Sequence, residues 1–154
     1  MDFRDLTPDD RPLLESFTCS FSRSGPAVRV QETIRQHLAD ELLPDGHVTA
    51  MGAFDGDEFC GLAAWSARPD DPEVWTCHVV AVAIGRMRTG LGTALKRVVI
   101  ERASVAGVLV VTSWVEEDND AMLKLNTKLG ASVHRDPEEP RFFACLIEVP
   151  GTDV

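Results

Sequence analysis

The sequence predicts a mixed α/β fold built around a strand–helix–strand crossover. Three observations carry this expectation. Residues 75–84 form a long, almost wholly apolar run, as expected of a strand buried on both faces. That run feeds the turn Gly85-Arg86-Met87-Arg88-Thr89-Gly90-Leu91-Gly92, which opens a helical stretch over 93–106. A second apolar strand, residues 108–114, follows directly. A strand, a helix and a strand at these lengths make a crossover connection.

The remaining elements follow in order. Residues 2–6 suit a short first strand. Thr7 can cap a helix beginning at Pro8, and Asp9 and Asp10 face the positive end of its dipole. This helix runs on through Leu13, Leu14 and Phe17. Residues 22–26 read as a loop. A second helix is expected over 27–43, where Val30, Ile34, Leu38 and Leu42 recur at four-residue spacing; Pro44-Asp45-Gly46 ends it. Residues 47–54 and 59–66 are strands joined by the hairpin turn Asp55-Gly56-Asp57. Residues 67–72 read as a polar loop. On the helix after the glycine turn, Leu91, Ala94, Leu95 and Val98 share one face, and Gly107 closes it. Residues 119–129 form a last helix ended by Gly130. Residues 131–134 and 142–149 are a final strand pair around Asp136-Pro137-Glu138-Glu139-Pro140.

Bulk properties narrow the function classes. With 154 residues and 44% hydrophobic content, residues 1–154 are expected to form a single domain with a proper core. No apolar run approaches the roughly 20 residues needed to span a bilayer. The start, Met1-Asp2-Phe3-Arg4-Asp5, is unlike a signal peptide, and the chain is read as cytoplasmic. Cys19, Cys60, Cys77 and Cys145 are scattered, as are His37, His47, His78 and His134, so no metal site is expected. The net charge of −10 argues against nucleic-acid and membrane partners. Within it lies a basic island: Arg86, Arg88, Lys96, Arg97 and Arg102 stand against Glu101 alone. Either this is a solvated helix face or it attracts a small polyanion. Arg86 and Arg88 flank the turn, which favours the second reading.

The turn itself can hold phosphate oxygens. Backbone N–H groups at a helix start have no partners within the helix, and the dipole adds positive charge there. Glycines let a ligand approach the backbone closely.

These residues resemble the GCN5-related N-acetyltransferases. The turn Met87-Arg88-Thr89-Gly90-Leu91-Gly92 is similar to that family's pyrophosphate motif, Gln/Arg-x-x-Gly-x-Gly/Ala. The segment from Asn119 to Ala131 resembles its second signature, an Asn followed eleven positions on by Gly, here Gly130. The likeness covers roughly residues 2–149. It implies a mixed, mostly antiparallel, twisted sheet with helices on both faces, splayed around an acetyl-CoA site. It also implies that acetyl-CoA serves as co-substrate. The pantetheine arm would pair with Val80, Ala81 and Val82, and the thioester carbonyl would face one of their amides. The pyrophosphate would sit on Met87, Arg88, Thr89, Gly90, Leu91, Gly92 and Thr93. Asn119 and Asn126 would border the pantetheine and sulfur.

Three departures stand out. Met87 replaces the usual Gln or Arg, so Arg86 or Arg88 would supply the lost charge. Ala131 replaces an aromatic residue. Asn126 stands where many members carry a Tyr that protonates the leaving sulfur, and the chain has no tyrosine. Asn119, Met122 and Asn126 fit an Asn-x-x-Met-x-x-x-Asn variant of the motif. Loss of the acid is tolerable, because a thiol with a pKa of about 8.5 is only roughly 2 kcal/mol from its thiolate at neutral pH. Asn126 can still donate a hydrogen bond to sulfur.

The implied reaction is attack of an amine on the thioester, which needs a base. His78, two positions before Val80 and so expected on its face, is one candidate; a hydrogen-bonded core histidine is the alternative. Glu73 is a second candidate. Glu116, Glu117 and Asp118 lie on a loop expected to face the acceptor, or else they decorate the next helix start. The acidic charge suits a cationic acceptor, a small-molecule or protein amine. A homodimer is left open. Two rival functions share the fold: an acyl-CoA-binding regulatory module, and a toxin that acetylates aminoacyl-tRNA. The stretch Phe17-Thr18-Cys19 slightly resembles the toxin branch, while the net charge argues against it. A Walker-type site is excluded, since no Gly-Lys-Ser/Thr follows the turn.

Overall fold

A computed structural model describes residues 1–19 and 48–151. The expected helix over 27–43 and loop over 22–26 lie outside these residues. Among the described residues seven strands form: β1 (Asp2–Asp5), β2 (Thr49–Asp55), β3 (Glu58–Arg68), β4 (Asp71–Val82), β5 (Val110–Glu116), β6 (Ser132–Arg135) and β7 (Phe142–Glu148). They make one sheet in the order β1-β2-β3-β4-β5-β7-β6. Every neighbouring pair is antiparallel except β4 and β5, which are parallel. The described helices are α1 (Arg11–Ser16), α2 (Leu91–Val105) and α3 (Asp120–Lys128). Helix α2 is the crossover between the parallel strands, so it runs back against them. The mixed, mostly antiparallel sheet is as expected.

Apolar side chains cover both faces of the central strands. On one side Leu6, Leu14, Phe17, Phe54, Leu62, Ala64 and Ala81 form a core with α1. On the other, Met51, Ala63, Trp65, Cys77, Val80, Val111 and the helical Leu91, Leu95 and Val99 form a second core. Strand alternation sends Ala81 to the first core and Val80 to the second. The continuous apolar sequence of β4 follows from this two-sided burial.

Two boundaries differ from the sequence expectation. Residues 67–72 are not a loop: β3 and β4 run to a tight hairpin, with Arg68 opposite Asp71. Pro72, second in β4, fits because a strand start tolerates the missing donor, and the Trp65 and Trp75 rings stack at 5.7 Å beyond it. At the N-terminus, residues Pro8–Asp10 form a 3₁₀ turn before α1. There the Asp10 carboxylate accepts the Thr7 backbone N–H at 2.8 Å and is gripped by Arg4 at 3.0 and 3.1 Å.

One property of the sheet positions everything below. β4 and β5 pair only through Val74–Val110, Trp75–Val111 and Thr76–Thr112. Past Thr76 the strands diverge. β4 stays bonded to β3 and β5 to β7, and the two arms make a fork.

Candidate active site

The cradle stands at the end of one arm of the fork. After β4, a 3₁₀ turn (Ile84–Arg86) leads into the glycine segment. Arg88 and Gly90 both take left-handed backbone, with φ 64° and 84°, and the Thr89 hydroxyl donates to the Arg86 carbonyl at 2.6 Å. Arg88 is the one non-glycine residue at positive φ among the described residues. The first bond of α2 runs from the Ala94 N–H to the Gly90 carbonyl at 3.1 Å. Among the described residues, no acceptor meets the amides from Arg88 to Thr93. The space at Gly90 is open, with no atom within 4 Å of an added Cβ. Gly92 is different: there a Cβ would come within 3.2 Å of Leu125 and 3.7 Å of Val82. That glycine lets α2 press against β4 and α3.

Among the described residues no acceptor meets the β4 amides on the fork side until Ile84, whose N–H donates to the Thr18 carbonyl at 3.2 Å beside the Cys19–Ala83 bridge. The Ala83 N–H donates to the Cys60 carbonyl at 2.8 Å, toward β3. Alternation then directs the Ala81 N–H toward β3 and those of Val80 and Val82 into the fork. Of the three expected residues, these two offer amides there.

A bulge corrects the expected position of His78. Ala64 pairs with Val79 and Trp65 with Cys77, which leaves His78 as the extra residue. Cys77, not His78, therefore shares the α2-side face with Val80. His78 is exposed and its Nε2 lies 2.6 Å from the Ser66 hydroxyl. Partial desolvation of the ring holds its pKa below the ordinary histidine value. Ser66 carries no signal in the sequence, because only the pairing of β3 with β4 brings it to His78.

Two asparagines converge on Met122. Asn119 caps α3 by accepting the Met122 N–H at 3.2 Å. Asn126 is fully buried, and its Nδ2 donates to the Met122 carbonyl at 2.9 Å. Its Oδ1 is buried without a partner among the described residues. The unanswered group is thus an acceptor, which suits an amide N–H better than a sulfur.

The basic island divides on folding. Arg86 pairs with Asp55 at 2.8 Å and with Glu58. Arg102 pairs with Asp5, and Lys96 is buried. Arg88 and Arg97 are exposed, with no ion pair among the described residues. Arg88 is therefore the cation at the turn that can answer for Met87.

Lys96 is the residue that sequence reasoning misses. It is 1% exposed, and its Nζ donates to the Ser113 hydroxyl at 2.5 Å. The buried stripe of α2 runs through Leu91, Leu95, Lys96, Val99 and Ala103 rather than through Ala94 and Val98. The spacing 92, 96, 99, 103 already places Lys96 on a helical face.

Glu73 is not brought to the cradle. It lies where β4 and β5 are still paired, and its carbonyl accepts the Leu109 N–H at 2.8 Å. Five residues separate it from His78, about 17 Å of strand. On the loop after β5, Glu117 pairs with Arg135 at 2.8 Å. No group of three or more potential metal ligands occurs, and no helix is long and apolar enough to cross a membrane, among the described residues.

This arrangement has many known counterparts. The PaiA N-acetyltransferase from Thermoplasma acidophilum, solved with coenzyme A, superposes with a TM-score of 0.77 at 13% identity, over 96% of this chain and 98% of that one. The ribosomal-protein-S18-alanine N-acetyltransferase from Escherichia coli gives 0.70 at 17%, over 99% and 96%. An acetyltransferase from Thermus thermophilus gives 0.68 at 22%, over 96% of each. No curated protein sequence matches the chain. At these identities the structural likeness establishes the fold. The model of the acetyltransferase (GNAT) family matches residues 11–131, most of the sequence. With the cradle and fork in place, the chain belongs to the GNAT acetyltransferase family and is an acyltransferase.

Proposed function

We propose that the protein transfers the acetyl group of acetyl-CoA to a primary amine of a small molecule or a protein. One observation carries this reading. β4 leaves β5 after Thr76, and among the described residues no acceptor meets its amides at Val80 and Val82 or those of Arg88 to Thr93 beyond its end. A diphosphate fits the cradle because those N–H groups need acceptors and the space at Gly90 is open. A pantetheine arm fits the fork because strand edges pair with amide-bearing chains, and Asn126 Oδ1 is a buried acceptor in need of a donor.

When bound, the coenzyme supplies an activated carbonyl and a thiol leaving group. The protein's own groups do the rest. An amide at Val80 or Val82 is suited to receive the carbonyl oxygen as its charge grows. His78 is suited to take the amine's proton, directly or through water, because its depressed pKa keeps the ring neutral near pH 7. Ser66 fixes the ring. Asn119, as cap, and Asn126 hold α3 against the arm. The net charge of −10 favours a cationic acceptor and disfavours nucleic acid and anionic membranes.

Titration calorimetry with CoA, followed by thiol release from acetyl-CoA across a panel of primary amines, tests this. Heat of binding together with amine-dependent release is expected; an absence of any affinity for CoA removes the reading. A second reading, an acyl-CoA-binding regulatory module, draws on Met87 at the turn and Asn126 in place of tyrosine. Tight binding with no transfer to any amine would favour it.

A further inference from the structure

Lys96 has no part in the chemistry above, yet its placement is costly. A buried ammonium has three donors to satisfy and a large hydration energy to replace. Among the described residues it has one hydrogen-bond partner, Ser113, and no carboxylate forms an ion pair with it. Among the described residues this cation has no counter-ion, and an anion carried in by a ligand would offset that cost.

Its position is defined from both arms of the fork. On α2, Gly92 sits beside Val82 and Leu125. Lys96 comes four residues later, about 6 Å further along the helix. Because α2 runs back along β4, that is about two strand residues, the level of Val80. The side chain then reaches Ser113, the first residue of β5 beyond the last β4–β5 pair. The stem thus runs from the helix on the sheet face to β5 just past its last pair with β4, beside the place the coenzyme reading gives the acyl–sulfur bond. From β7, Cys145 pairs with Ser113 and faces the same ammonium. Burial pushes that thiol's pKa up, and Lys96 opposes the push. The charge therefore already acts on one sulfur at this level. On β4, His78 is the other titratable group near this level, and Cys77 packs in the core beneath α2.

We propose that Lys96 receives the coenzyme's departing sulfur as a thiolate, replacing the acid that a tyrosine at position 126 would supply. The balance is simple. The amine nitrogen forms a bond to the carbonyl carbon, and the carbon–sulfur bond breaks with its electron pair passing to sulfur. The surplus proton of the amine goes to His78 or water. Lys96 donates a hydrogen bond to the anionic sulfur and keeps its proton, and solvent protonates the thiol after release. Asn126, its amide donating to Met122, does not need to act on the sulfur.

This rests on the coenzyme reading, and the test separates the two. CoA is bound to the wild-type protein and its thiol titrated by thiolate ultraviolet absorbance, with Cys145 and the other protein thiols subtracted using desulfo-CoA as ligand. A bound thiol with a pKa at least about one unit below the ordinary 8.5 is expected. In Lys96→Met, which keeps the apolar stem, it should return to 8.5 or above, with desulfo-CoA affinity changed less than about threefold. Lys96→Arg should retain most of the shift. CoA bound with an unshifted thiol in the wild-type protein overturns the assignment of Lys96 alone, whether or not the variants fold. A wild-type protein that binds neither CoA nor desulfo-CoA removes the coenzyme reading, and this proposal with it.

Discussion

The cradle and the fork hold their ligand-facing groups by opposite means. At the cradle the chemistry offered is mainly backbone: the amides of Arg88 to Thr93, shaped by left-handed Arg88 and Gly90, with Arg86 drawn off to Asp55 and Glu58. The groups proposed to act at the fork are side chains: His78 on a bulge, Asn126 with an orphan oxygen, Lys96 with one hydroxyl. A backbone site tolerates side-chain variation, which is why Met87 can stand where an Arg or Gln is usual. A side-chain site does not, and that difference can be broken by mutation in graded steps.

The largest effect should come from the fork. If His78 is the base, His78→Ala should lower the transfer rate by about 10²–10⁴-fold while CoA affinity stays unchanged. The pH profile carries its own signature. The His78 pKa is depressed, so the wild-type rate should rise with pH through an inflection below about 6.5, and the variant should lack it. Stability follows the same sign: the contribution of a depressed group is complete above its unfolded value and is lost as pH falls through the folded one. A full rate in the variant would leave the fork without its base.

The cradle should answer with binding instead of rate. At Gly90 the backbone is left-handed, and Gly90→Val imposes strain of about 1–3 kcal/mol there or turns the amides aside. CoA affinity should fall by about 10–100-fold, read by calorimetry, while strain taken up in the backbone lowers the melting temperature by about 3–9 °C. The space at Gly90 is open, so a bulky neighbour cannot be the cause. Unchanged affinity would mean that these amides are not the anchor.

This contrast also explains what is readable in advance. The cradle is a local feature, written as a strand, two glycines and a helix, and the sequence announces it. The central strands are legible because burial on both faces leaves a continuous apolar run. The fork is not. The bulge at His78 is a mismatch between β3 and β4, twelve residues apart in sequence from Ser66, and alternation alone puts the ring on the wrong face. Motif position puts Asn126 beside the sulfur, but says nothing of the bond its amide makes to Met122 within its own helix. Composition counts Lys96 with the surface charges, because a lysine's letter says nothing of where its stem lies. Pairing of Arg86 with Asp55 and Glu58 across the β2–β3 hairpin is equally hidden, since it joins residues about thirty apart.

Asn126 sharpens the comparison by separating stability from function. Its Oδ1 is buried and unanswered, so Asn126→Leu removes a desolvated acceptor at the loss of the Nδ2–Met122 bond, and should stabilise the free protein by about 1 kcal/mol. The same change deletes the acceptor offered to the coenzyme arm, and CoA should bind about three- to tenfold more weakly. Denaturant unfolding and calorimetry measured on one preparation check both signs. A variant that loses stability and keeps its affinity would make Asn126 a packing residue only.

The smallest effect separates two neighbouring arginines. Arg88 is exposed at the turn without an ion pair among the described residues, whereas Arg86 is held by Asp55 and Glu58. An exposed cation near a diphosphate contributes a screened Coulomb attraction of about 1 kcal/mol or less. Arg88→Ala should therefore weaken CoA about two- to fivefold at low ionic strength, with the difference shrinking as salt approaches 1 M. Arg86→Ala removes a cation already neutralised, and its effect on CoA should be smaller at every salt concentration. It should loosen the hairpin instead, visible as faster amide exchange at Asp55 and Glu58. If Arg86→Ala weakens binding more than Arg88→Ala, then the arginine tied to the hairpin is the one that answers for Met87. The cradle would then depend on a side chain after all, and the division between backbone and side-chain recognition would fail at the place where it is cleanest.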